Sequence, residues 1–126
     1  MLYFAYGMNT NTSMMHPSSK RLGVATLPNY AWEMIRYANV YEEHGASTVG
    51  ILWEIDDHQL KALDMREGFP DFYGRLRTTV FQNKKKFNSI VYFMQNDCRM
   101  RLMHEKPSAT YMEMVVNGFA ESNIKI

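Results

Sequence analysis

Residues 2–9 read LYFAYGMN, and this short stretch organises the rest of the chain. Residues Leu2–Tyr6 are apolar and aromatic without alternation, a pattern typical of a strand that is buried on both faces. Gly7 then ends the strand, because glycine lets the backbone turn sharply without a side chain in the way. The stretch predicts a central strand that runs directly into a backbone turn.

The turn formed by Tyr6, Gly7, Met8 and Asn9 is a candidate binding element. A tight turn leaves successive backbone NH groups unpaired and pointing in one direction, and such a nest binds an anion or stabilises an oxyanion. An ordinary turn at the end of a strand has the same sequence pattern. Both interpretations stay open on this motif alone.

Five further segments are rich in the β-branched and aromatic residues that favour strands. They are Arg21–Thr26, Ala31–Val40, Thr48–Ile55, Gly74–Phe81 and Phe87–Met94. Asn83–Lys86 is typical of a turn between the last two, and Thr10–Lys20 is expected to be a loop or one short helix. About six evenly spaced strands predict a small mixed or antiparallel β-barrel, since closure removes the exposed strand edges.

Two segments have helical rather than strand character. The first follows Asp57 with the sequence HQLKALDMREG, where Asp56 or Asp57 would cap the N-terminus and Gly68 would end the helix. The second is Ser108–Ser122, whose apolar residues recur at spacings of three and four and would face the barrel. With two or more helices flanking the barrel, the predicted fold class is α+β.

The composition limits the classes of function. A chain of 126 residues is expected to form a single domain, 1–126. A net charge of +1 gives no field to attract nucleic acid, and the longest apolar run, Met1–Tyr6, is far shorter than the roughly 20 residues of a membrane helix. The single cysteine, Cys98, agrees with a reducing compartment. We therefore expect a cytoplasmic protein, a monomer or homodimer, without nucleic-acid or membrane partners.

Glu67 is the strongest candidate for chemistry. It lies four residues after Leu63 and seven after Leu60, so that the helix aims its carboxyl at the core. Desolvation, the neighbouring Asp64 and the negative end of the helix dipole would all raise the pKa of Glu67, which suits proton transfer near neutral pH. The alternative is that the last helical turn frays and Glu67 turns into water.

The remaining chemical groups are weaker candidates. The four histidines have no ligand-like spacing among themselves or with Cys98, so the sequence predicts no metal site. Cys98 has no identifiable histidine partner and is expected to be a spectator thiol. The cluster Lys84-Lys85-Lys86 is more typical of a solvated hairpin tip than of an RNA-binding surface.

Four motifs in order resemble one known family. YFAYGMN (3–9) is similar to an opening strand with a YGSN turn, and VGILWEI (49–55) to a central strand. LDMREG (63–68), followed by Pro70 and Tyr73, resembles an LDxxEG segment, and PSATY (107–111) with GFAE (118–121) resembles a closing helix. Together they resemble the gamma-glutamylcyclotransferase-like (avirulence-induced-gene-like) proteins over nearly the whole chain.

The resemblance implies a small helix-flanked barrel and a small-molecule gamma-glutamyl substrate. It implies that Glu67 is the catalytic acid and base, that Tyr6, Gly7, Met8 and Asn9 hold the glutamyl head, and that Tyr111 contributes a hydroxyl. The products would be 5-oxoproline and an amine or amino acid, with no metal or organic cofactor.

Met8 departs from the family pattern, which has serine at this position. The substitution removes a hydroxyl and adds bulk at the turn, so the alternative is a catalytically silent binding module with the same fold and pocket. If the protein is active, a flexible thioether in the pocket favours leaving groups that are apolar rather than charged.

Overall fold

A computed structural model describes residues 1–125 of the chain. Its five strands are β1 (Leu2–Ala5), β2 (Lys20–Met34), β3 (Ala38–Glu54), β4 (Tyr73–Gln82) and β5 (Lys85–Met94). Its helices are α1 (Asp57–Glu67), α2 (Asn96–Leu102) and α3 (Ala109–Glu121), with 3-10 turns at Met8–Thr10 and Thr12–Met14. No helix within this described part is long and apolar enough to cross a membrane.

The strands close into a barrel in the order β1-β3-β2-β4-β5. Strand β1 is antiparallel to β3 and parallel to β5, so the barrel is mixed. The α+β class and the closed barrel with flanking helices are confirmed. The short helix α2 was not predicted.

The strand count is five, because the predicted strand Ala31–Val40 is in fact the end of β2, a turn at residues 35–37, and the start of β3. Ile35, Arg36 and Tyr37 form this turn without glycine or proline, so local composition gives no sign of it. The resulting β2–β3 hairpin has register shifts after Arg21 and Pro28. Such bulges bend long strands, as a small barrel requires.

Strand β1 is buried on both faces, as its unalternating sequence predicts. Phe4 and Tyr6 belong to one apolar cluster with Leu52 of β3. Tyr3 belongs to a second cluster, which includes Leu63 of α1. The strand therefore joins the barrel to the layer of helices.

The ends of α1 follow the local rules. The Asp56 side chain accepts a hydrogen bond from the Gln59 backbone NH at 2.8 Å, and the Gln59 side-chain oxygen accepts one from the Asp56 NH, which completes a capping box. Gly68 ends the helix in the left-handed region at φ 66°. Both predicted boundaries are confirmed.

The hairpin between β4 and β5 turns at Asn83 and Lys84, one pair of residues rather than the four predicted. Both have positive φ, as a two-residue hairpin turn of this hand needs. The lysines at this tip are exposed.

Helix α3 packs directly on the segment that follows β1. Gly118 is buried against Thr10 and the backbone of Asn11, and a Cβ atom at position 118 would overlap both. The Asn11 side chain donates to the Met114 carbonyl at 3.1 Å. The missing side chain at Gly118 therefore permits the close approach of helix and turn.

We predict that Gly118→Ala destabilises the protein by about 1–3 kcal/mol, because overpacking outweighs the gain of about 1 kcal/mol in helix propensity. Asn117→Ala, an exposed neighbour on the same helix, is the control and should be neutral or slightly stabilising. Urea unfolding of the three proteins gives the comparison. A Gly118→Ala protein more stable than the native one would contradict the packing argument.

Candidate active site

A cavity of about 650 Å³ opens where the end of β1, the end of α1 and the β2–β3 turn meet. Glu67, Gly7, Met8 and Asn9 line it. Six of the eight tyrosines of the chain also line it: Tyr3, Tyr6, Tyr37, Tyr73, Tyr92 and Tyr111. The sequence-predicted site residues thus meet in one cavity, whose walls are largely phenolic.

Glu67 lies in the wall of this cavity because α1 remains helical to its last residue. The alternative of a frayed last turn is therefore wrong. Burial raises the pKa of the Glu67 carboxyl to about 7, while the adjacent Arg66 opposes this rise. A carboxyl with this pKa exchanges its proton readily near neutral pH.

Asp64 does not contribute to the raised pKa in the way the sequence predicts. Its carboxylate accepts a hydrogen bond from Arg75 Nε at 2.9 Å and another from the Tyr92 hydroxyl at 2.6 Å. The Arg75 charge balances that of Asp64. Desolvation is therefore the dominant cause at Glu67, and the helix spacing alone could not reveal that Asp64 is paired.

Asn9 connects Glu67 to the barrel. Its amide Nδ2 lies 2.9 Å from the Tyr3 hydroxyl and 3.4 Å from Glu67 Oε1, and donates to both. Its Oδ1 accepts from Arg66 at 2.9 Å, and its backbone carbonyl accepts from the Trp53 indole at 3.1 Å. The side chain of Asn9 is thus held in a single orientation toward the carboxyl.

The turn after Gly7 is a 3-10 turn whose first internal bond runs from the Thr10 NH to the Gly7 carbonyl at 3.1 Å. The NH groups of Met8 and Asn9 precede this bond, so the turn itself gives them no acceptor. Gly7 does not have a positive φ. Glycine is required there because the backbone lies close to Ala38, and a Cβ atom at position 7 would be only 2.8 Å from Ala38 Cβ. Met8 and Asn9, whose NH groups have no acceptor within the turn, both line the cavity.

Two tyrosine hydroxyls meet at Ala38, the first residue of β3. Tyr111 accepts a hydrogen bond from the Ala38 NH at 3.0 Å, and Tyr73 donates to the Ala38 carbonyl at 2.6 Å. The proton of the Tyr111 hydroxyl stays available for a ligand. The Tyr6 hydroxyl donates to the Tyr92 carbonyl at 2.8 Å, so the proton of Tyr6 is already used.

Sequence reasoning missed several lining residues. Tyr3 and Tyr92 lie inside strands, where their spacing is typical of core residues. Arg36 lies in the turn between β2 and β3, which the sequence does not reveal. Tyr73 was noted only as part of a motif. No local signal shows that these residues converge, because the barrel brings them together from three strands and a turn.

The weaker candidates lie elsewhere. Cys98 is a buried free thiol that contacts the Asp71 carbonyl and does not line the cavity. Within residues 1–125, no three His, Cys, Asp or Glu side chains come together in a way that could hold a metal ion.

The fold and cavity define a class of small mixed barrels with a half-buried glutamate in a pocket lined by tyrosines. The family model for gamma-glutamyl cyclotransferase, AIG2-like, matches residues 3–113. The chain therefore belongs to this family.

Individual relatives agree with the family match. A gamma-glutamylcyclotransferase from Bos taurus is 26% identical over 99% of this chain and 73% of its own length. A solved gamma-glutamyl cyclotransferase superposes with a TM-score of 0.82 at 23% identity, over 97% of this chain and 79% of that one. YkqA from Bacillus subtilis superposes with a TM-score of 0.79 at 20% identity, over 96% and 48%. These two structures share the fold.

The burial of Glu67 predicts a pH-dependent stability. Between its ordinary value of 4.5 and about 7, the folded chain keeps a proton on Glu67 that the unfolded chain releases. Unfolding is therefore increasingly favoured as the pH rises through this window, by up to about 3 kcal/mol. Glu67→Gln removes this penalty.

Urea unfolding at pH 5 and pH 8 measures the effect. The free energy of unfolding of Glu67→Gln, relative to that of the native protein, should be higher at pH 8 than at pH 5. Glu113→Gln, at an exposed site on α3, controls for the loss of a negative charge. If the difference between native and Glu67→Gln proteins is the same at both pH values, Glu67 is not desolvated as described.

Proposed function

We propose that the protein is a cofactor-independent gamma-glutamyl cyclotransferase, with Glu67 as its catalytic acid and base. The observation that carries the proposal is the half-buried Glu67 carboxyl, with a pKa of about 7, in a cavity that the Gly7–Asn9 turn also lines. Membership of the family and the relative from Bos taurus named gamma-glutamylcyclotransferase support the same activity.

The reaction is an intramolecular aminolysis. The α-amine nitrogen of the glutamyl group attacks its own γ-carbonyl carbon, and a five-membered lactam closes. The bond from that carbon to the departing nitrogen then breaks, giving 5-oxoproline and a free amine. Because both reacting groups belong to one molecule, the enzyme gains most by holding the folded conformer.

Two proton transfers are needed, and one carboxyl can carry both. Glu67 in its ionised form takes a proton from the attacking ammonium group. It then returns that proton to the departing nitrogen, which would otherwise leave as an unstable anion. A pKa of about 7 suits both roles, since the carboxyl is a competent base and its conjugate acid a competent donor at neutral pH.

The Gly7–Asn9 turn is suited to the charge that develops on the carbonyl oxygen. The Met8 and Asn9 NH groups lack an acceptor within the turn, and the Trp53 indole holds this backbone in place through the Asn9 carbonyl. Donors that are already oriented stabilise an oxyanion without reorganisation. We assign Tyr6, Gly7, Met8 and Asn9 to the glutamyl head on this basis.

Tyr111 is proposed as a further ligand of the same head. Its oxygen is fixed by the Ala38 NH, so its own proton points away from the backbone and can be donated. Burial raises the pKa of Tyr111 to about 12, which keeps the hydroxyl protonated.

The direct test is turnover by Glu67→Gln. The amide keeps the shape but accepts no proton, so 5-oxoproline release should fall by on the order of 10² to 10⁴. In the native protein, kcat/KM should rise with pH to a plateau above about 7, because the free enzyme must hold Glu67 ionised to accept the first proton. Full activity in Glu67→Gln would show that another group transfers the proton.

A second candidate function is a binding module that retains the pocket without turnover. Met8 favours it, because its half-buried side chain lies in the cavity where the family pattern has serine. The backbone NH groups, however, do not depend on the side chain at position 8.

We predict that Met8→Ser changes specificity more than rate, since the turn acts through backbone NH groups. A panel of gamma-glutamyl compounds measured on both proteins provides the comparison. Should the native protein bind but not cleave any of them while Met8→Ser gains turnover, Met8 is a block and the binding-module function is correct.

A further inference from the structure

Arg36, in the turn between β2 and β3, has a buried nitrogen without a partner. Its Nη1 is shielded from solvent and makes no hydrogen bond to any group of residues 1–125. Its guanidinium lies 4.6 Å from the centre of the Tyr37 ring, which orients it. A buried charged donor without an acceptor is costly, and because Arg36 lines the cavity, an anion bound there would offset that cost.

The other arginines near the cavity are either paired within the protein or exposed to water. Arg66 donates to the Met14 carbonyl at 2.8 Å and to Asn9 at 2.9 Å. Arg75 is paired with Asp64 outside the cavity lining. Arg101 lines the cavity but is exposed, so water can satisfy its donors. Arg36 is therefore the lining cation that best fits an anionic ligand.

The position of Arg36 within the cavity indicates which part of a ligand it meets. Tyr3 and Tyr73 in the cavity wall are buried, whereas Arg36 and Tyr37 are half-buried. The Tyr37 ring packs edge-on against Tyr111 at 5.3 Å. Arg36 therefore lies next to a ring that packs on Tyr111, whose hydroxyl we assign to the glutamyl head.

We propose that Arg36 binds a carboxylate of the leaving group and so selects gamma-glutamyl amino acids over gamma-glutamyl amines. The inference rests on the proposed function, since it takes the glutamyl head to lie beside Glu67 and the leaving group to extend toward Arg36. A guanidinium presents paired NH donors that match the two oxygens of a carboxylate, and a buried donor strengthens this pairing. The assignment reverses the apolar preference that Met8 suggests from the sequence.

Two compounds isolate the carboxylate. Gamma-glutamyl-alanine and gamma-glutamylethylamide differ only by that group on the leaving amine. The native protein should have the higher kcat/KM for gamma-glutamyl-alanine, and Arg36→Met should lower this preference by about 10- to 100-fold, the range for a hydrogen bond to a charged group. The ethylamide should be affected little. Arg77→Met, which removes an exposed arginine outside the cavity, is the matched control.

Equilibrium binding keeps the test independent of turnover. Both compounds are titrated into Glu67→Gln and into the double variant Glu67→Gln/Arg36→Met. If the native protein cleaves neither compound, the proposed function fails, yet selective binding of gamma-glutamyl-alanine that is lost with Arg36 still supports the carboxylate site.

Three outcomes overturn the proposal: an equal loss for both compounds, no loss for either, or a native preference for the ethylamide. An equal loss would assign Arg36 to the glutamyl carboxylate or to structure. If Arg36→Met does not fold, Arg36→Lys replaces it. Lysine keeps the charge but not the paired donors, so the preference should fall by a smaller factor, and an unchanged preference counts against the paired contact.

Discussion

Asn9 connects three elements of the fold. Its side-chain Nδ2 reaches Tyr3 of β1 and Glu67 of α1, and its backbone carbonyl accepts from Trp53 of β3. Asn9 is itself buried, with 4% of its surface exposed, and its bonds with Tyr3 and Trp53 form away from competing water. Asn9 thereby ties the position of the Glu67 carboxyl to the barrel.

The phenolic walls explain why the carboxyl titrates near neutral pH. Tyrosine rings exclude water while their hydroxyls satisfy backbone groups, as Tyr73 and Tyr111 do at Ala38. Such a wall desolvates Glu67 without placing a positive charge on it, and Arg66 only partly offsets the rise in its pKa. The same burial that reduces stability at high pH thus provides a group able to transfer protons.

Local rules predicted the helix that carries Glu67, because residues close to each end in the sequence determine where the helix begins and ends. Asp56 and Gln59 cap one end, and Gly68 takes the left-handed conformation at the other. The spacing from Leu63 then directs Glu67 inward. The pairing of Asp64 with Arg75 was not predictable in this way, since Arg75 lies on β4 and only closure of the barrel brings it near.

By itself the sequence determined the strand-rich α+β class, the buried strand β1 with its Gly7 turn, and the inward carboxyl of Glu67. These features depend on periodicity and on end signals that act within a few residues. The turn of the β2–β3 hairpin, the set of tyrosines that share the cavity and the presence of Arg36 in its wall were visible only in the tertiary structure. Each of these depends on contacts between residues distant in the chain, and no local preference encodes such contacts.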